Sequence, residues 1–85
     1  MDKGLTLEKM KQLLELKESL THLMCGGIQE EANRKAMEIM VIRYIEEEAA
    51  KFSERELATR YTTVEDSFKL FFSYLMAKGL VQVGG

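Results

Sequence analysis

Residues 53–81, SERELATRYTTVEDSFKLFFSYLMAKGLV, decide the fold. Ser53-Glu54-Arg55-Glu56 is an S-x-x-E capping box, in which the serine hydroxyl caps the Glu56 backbone N–H and the Glu56 carboxylate reaches back. The helix it opens is expected to run to about Tyr61, with Leu57, Ala58 and Tyr61 inward. Thr62-Thr63 makes a short turn. Thr63 and Asp66 then form a second capping box, with Asp in place of Glu. The next helix is expected over residues 64–78, ended by Gly79, and Leu80-Val81-Gln82-Val83 alternates like a strand. On a helical wheel Val64, Phe68, Phe71, Phe72 and Leu75 share one arc, which predicts the core face. Asp66, Lys69, Leu70, Ser73 and Ala77 fall opposite, with Tyr74 at the side.

Two longer periodic segments precede this stretch. Residues 6–25 read as a helix with Thr6 as N-cap and Glu8 in the first turn, where a carboxylate complements the helix dipole. Leu7, Met10, Leu13, Leu14, Leu16, Leu20, Leu23 and Met24 give it a wide apolar stripe, away from Lys9, Lys11, Glu15 and Glu18. Gly26-Gly27 is its stop. Residues 29–50 read as a second helix with Met37, Met40, Val41, Tyr44 and Ile45 on one side and Ile39 and Ile42 on another. Apolar residues on two sides predict a helix buried at the centre of the core. Glu46-Glu47-Glu48 reads as its solvated end. Lys51-Phe52-Ser53 breaks the helical period.

The chain has 85 residues, a formal net charge of −2, 46% hydrophobic and 31% charged residues, and no proline. That length holds one domain, residues 1–85, with a limited core, so a partner subunit is expected to add stability. Residues 1–50 carry seven Lys/Arg against ten Asp/Glu, and residues 51–85 five against four. A non-specific nucleic-acid coat, which needs a strong positive field, is thereby excluded, while the C-terminal half does not repel phosphate. One cysteine, Cys25, forms no internal disulfide, and the N-terminus has no apolar signal core, so a cytoplasmic protein is expected. No run approaches the roughly 20 apolar residues of a membrane span.

The motifs S-E-R-E-L-A (residues 53–58) and A-K-G-L-V (residues 77–81), and the gapless interval between them, resemble the helix-turn-helix of GntR-type winged-helix transcription regulators. The second half also resembles MarR-type regulators. The resemblance covers about a third of the chain. It implies a mainly α winged-helix core at 29–83, with a short and incomplete β-wing and an additional N-terminal helix. It also implies a small dimeric regulator that binds double-stranded DNA through the 64–78 helix. Carried over by position, Ser53 and Arg55 would touch the phosphate backbone and Ser67 and Lys69 would contact DNA; in a DNA-binding dimer of this kind Arg60 is expected to add a backbone contact, and the winged-helix resemblance also implies a very short strand with Phe52 as its inward residue. Glu65 stands where the family has arginine, and Thr62 where it has the turn glycine. A helix ahead of such a core often docks on a second subunit, so residues 6–25 are expected either to form a homodimer or to fold back on their own domain.

A second reading rests on the residues alone. Base readers are usually Arg, Lys, Asn or Gln, and on the outward face only Lys69 qualifies. With the acidic balance, this motivates the alternative to DNA binding: a winged helix turned to protein binding, an adaptor or inhibitor with Leu70, Tyr74 and Met76 as its patch. Other chemistry finds little support. His22 and Cys25 lie three apart on one helix, but zinc needs about four ligands. No phosphate loop and no H-E-x-x-H is present, so neither enzyme activity nor a cofactor or metal is expected.

Overall fold

The structure is a computed structural model and describes residues 6–81. It is mainly α, with four helices: α1 (Leu7–Cys25), α2 (Glu31–Lys51), α3 (Glu54–Arg60) and α4 (Val64–Ala77). No strand occurs among the described residues. The expected short strand at Phe52 is the extended C-cap of α2 instead. Leu80 and Val81 are not a strand either, and Gln82 and Val83 lie outside the described residues.

The helix ends are set by side chains. Thr6 accepts from the Lys9 N–H at 3.0 Å. Ser53 and Glu56 close the first capping box at 3.2 and 2.8 Å. Thr63 and Asp66 close the second at 3.1 and 3.3 Å. Each cap satisfies helix-end N–H groups that no turn of helix can reach. At the far end of α4, Gly79 has φ +71, a left-handed conformation that a side chain would strain. Its N–H donates to the Met76 carbonyl at 3.0 Å and the Leu80 N–H to the Leu75 carbonyl at 2.9 Å. This pair of bonds is a Schellman ending.

The first helix, not the second, is the hub. α1 packs against α2, α3 and α4. It buries Leu13, Leu16 and Leu20 within its own chain. Of the two expectations for residues 6–25, folding back is therefore realised in the chain itself. Lys9, expected at the surface, is buried at 1% exposure, and its Nζ donates to the Ala49 carbonyl at 2.7 Å. There it meets the carbonyl-rich end of α2, where a cation is favoured. Gln12 donates to the Glu54 carbonyl at 3.1 Å, and the Thr6 hydroxyl to the Glu54 carboxylate at 2.9 Å. α1 is thus fastened to the junction of α2 and α3.

The core cluster is Leu16, Leu20, Val41, Tyr44, Phe71 and Leu75. Each large apolar side chain fully removed from water adds roughly 1.5–3 kcal/mol. Tyr44 meets Phe71 edge-on at 5.2 Å and Tyr74 at 5.0 Å. The Met37, Met40 and Ile45 side of α2 packs on this cluster as expected. Ile39 and Ile42, expected to be covered as well, are 53% and 42% exposed, because α1 and α4 occupy only part of the circumference of α2.

Candidate macromolecule-binding face

α4 is held by one side. Its buried residues are Ser67, Phe71 and Leu75, and Leu70 and Tyr74 pack half-buried against the core. Three of the five residues expected inward sit elsewhere. Val64 is 58% exposed and Phe68 42% exposed, while Phe72 is half-buried. The helix is rotated from the expected orientation. Tyr74 donates its hydroxyl to Glu47 at 3.2 Å, and Lys78 reaches the same carboxylate at 3.4 Å, so this side is drawn towards α2.

What faces outward is a row at four-residue spacing: Val64, Phe68, Phe72 and Met76. Such a row forms a ridge on a helix surface. Phe68 and Phe72 stack with centroids 5.9 Å apart and planes 16° apart. Met76 is 40% exposed. Beside the ridge, Glu65 and Lys69 pair at 3.6 Å with both side chains largely in water. A pair this exposed contributes at most about 1 kcal/mol. At a rise of 1.5 Å per residue, the ridge is roughly 18 Å long.

The residues expected to contact DNA are not gathered on this face. Ser67 is 5% exposed, and its hydroxyl donates to the Thr63 carbonyl at 3.5 Å. A side chain turned into the core cannot contact a duplex, so Ser67 leaves that set. Arg60 donates through Nε to Glu48 at 2.9 Å, and its guanidinium lies 3.9 Å over the Phe52 ring. It is spent on fastening α3 to α2. Ser53 is half-buried and committed to its capping box. Arg55 and Lys69 are exposed.

The expected protein-contact patch is redrawn too. Leu70 and Tyr74 pack on the core, and only Met76 belongs to the open face. Sequence reasoning missed Val64, Phe68 and Phe72 there. Residues 64–77 carry eight large apolar or aromatic side chains, more than one arc of a short helix can bury, and both arcs read as apolar. That surplus was the available signal that one side would stay open.

A buried polar network lies behind α4. Glu48, expected at a solvated end, is 4% exposed. It accepts from Arg60 and from the Tyr61 hydroxyl, and the Tyr61 and Tyr44 hydroxyls bond to each other. Burial, then the bond to Glu48, pushes the Tyr61 phenol far above its ordinary value. Burial likewise raises Tyr44. The Tyr44 and Tyr61 phenols stay protonated and tie α2 to α3. Cys25 is buried with Sγ 3.9 Å from the Arg34 carbonyl, while His22 is exposed, so the two do not form one site. Among the described residues no group of three or more His, Cys, Asp or Glu could hold a metal, and no helix is long and apolar enough to cross a membrane.

No family model, curated protein or solved structure matches this chain.

Proposed function

We propose that this chain is a small helix-turn-helix protein of winged-helix type that acts in the cytoplasm by binding a protein partner, as an adaptor or inhibitor. The observation that supports this reading is the apolar ridge Val64–Phe68–Phe72–Met76, exposed except at half-buried Phe72, on the outer side of the helix that would otherwise read DNA. An apolar ridge seats the apolar stripe of an amphipathic helix of three to four turns. It offers a duplex neither the cations for phosphates nor the donors for base edges. Among the described residues, ten large hydrophobic side chains are exposed and nine hydrophobic residues are buried, a balance that suits a chain completed by a partner. Leu7, Met10 and Leu14, 72%, 43% and 54% exposed along α1, are where a second copy would add itself in the dimeric form of this reading.

The second reading is DNA binding by a small transcription regulator. Arg55 and Lys69, both exposed, favour it, together with the resemblance carried by S-E-R-E-L-A. One experiment separates the two. Titration of the chain against mixed genomic DNA fragments at low and moderate salt is expected to show no affinity at moderate salt. Tight binding that weakens steeply with salt, and is abolished by Arg55→Glu with Lys69→Glu, replaces the protein-binding reading with the DNA-binding one. In parallel, a partner isolated from the source cells on the immobilised chain is expected to be lost on Phe68→Asp and kept on Glu56→Gln. A partner retained by Phe68→Asp removes the ridge from the interface.

A further inference from the structure

α1 and the helix-turn-helix unit do not close fully on each other. Between them lies a cleft of about 260 Å³. Its apolar floor is Leu13, Leu16 and Leu57, all buried. Thr63, Val64 and Ser67, at the root of α4, line one wall. For scale, a dry cavity of roughly 150 Å³ accommodates benzene. The cleft therefore has room for one aromatic ring and a short chain.

The polar groups at the mouth decide what that ring would carry. Thr62, Thr63 and Ser67 spend their hydroxyls inside the turn, on Asp66 and on the Thr63 carbonyl. Glu15 and Ser19, one helical turn apart on α1, line the cleft and have no partner among the described residues. No Lys, Arg or His lines the cleft. One unspent carboxylate over an apolar floor, with no cation in the walls, is a field that attracts a positive charge and repels a negative one. We propose that this cleft binds a small organic cation: a primary ammonium group, held by Glu15 and Ser19, on a single aromatic ring laid against Leu13, Leu16 and Leu57.

The cleft meets the ridge on α4 only at Val64, which lines both; Phe68, Phe72 and Met76 lie outside it. Its test uses the full chain and three probes of matched size: tyramine, the neutral 4-ethylphenol, and the anionic 3-(4-hydroxyphenyl)propionate. Amide chemical shifts are followed as each is titrated. Tyramine is expected to move the amides of Glu15–Ser19 and Ala58–Ser67 and to bind tighter than 4-ethylphenol by up to about 5-fold, the most that one exposed charge pair contributes. The propionate is expected to bind weakest. Glu15→Gln should erase the preference for tyramine while leaving 4-ethylphenol unchanged, and Ala58→Phe, which fills the cleft from an exposed position, should weaken all three. Absence of shifts with tyramine at millimolar concentration overturns the proposal. So does a propionate that binds as tightly as tyramine, or a tyramine preference that survives Glu15→Gln.

Discussion

Glu48 and Arg60 meet across the junction of α2 and α3, Oε1 to Nε at 2.9 Å, with the carboxylate side chain only 5% exposed and the guanidinium 28% exposed. The pair is boxed in by the Tyr61 hydroxyl on one side and the Phe52 ring on the other. It places α3, and through the turn it places α4. Removing one member strands the other without a counter-charge. Arg60→Ala is therefore expected to destabilise the chain by about 3 kcal/mol in urea unfolding. Glu48→Gln with Arg60→Met, which removes both charges, is expected to recover more than half of that loss. A double variant as unstable as Arg60→Ala contradicts this role.

Tyr61 extends the same network to high pH. Burial and its bond to Glu48 raise its folded-state pKa far above the ordinary value. A group raised in this way contributes stability that is fully present below the unfolded pKa of about 10, and that is lost as pH rises towards the folded value. Unfolding free energy is thus expected to hold steady to about pH 10 and then fall, and Tyr61→Phe is expected to flatten that fall. An alkaline limb identical in Tyr61→Phe places the titration elsewhere.

Asp66 governs the acid side of the turn. The Thr62 hydroxyl, followed by the Thr63 hydroxyl and backbone bonds, holds its carboxyl below the usual range. Folded-state depression means stability present above the ordinary pKa of about 4 and lost as pH falls through the folded value. Wild type and Asp66→Asn are expected to differ at pH 7 and to converge as pH falls through the folded value. A difference that persists unchanged into acid would show that the carboxylate charge plays no part in the cap. Thr63→Ala, which removes the other half of the box, is expected to lower stability by about 1 kcal/mol at neutral pH and by less in acid, where the carboxylate it supports is protonated.

The helices and their caps were legible in the sequence because they are local. S-x-x-E at 53–56, T-x-x-D at 63–66, Thr6 and Gly79 each set a boundary through contacts within a few residues. The orientation of α4 was not legible. Its two apolar arcs, one through Phe71 and Leu75 and one through Val64, Phe68 and Phe72, are both plausible core faces by period alone. What chose between them is remote in sequence: the Glu47 carboxylate on α2, which takes the Tyr74 hydroxyl, and the cluster formed by Leu16, Leu20, Val41 and Tyr44. Ser67 was assigned by position in a motif, and a motif does not record which way the helix is turned. Glu48 and Lys9 were placed in water as charged residues are by default. Each is buried because a partner some distance away in the chain accepts or balances it: Arg60 for Glu48 and the Ala49 carbonyl for Lys9.

The open face of α4 exists only because of how that helix is seated, and two phenylalanines three residues apart report on the seating. Phe71 is fully buried and Phe68 is 42% exposed. Urea unfolding of Phe71→Ala and Phe68→Ala, compared with wild type at neutral pH, measures the difference directly. Phe71→Ala is expected to lose about 3–5 kcal/mol, as core phenylalanines do, and Phe68→Ala about 1 kcal/mol. Equal losses, or a larger loss at Phe68, would mean that the ridge is core, and no open face would remain on α4 for a partner to bind.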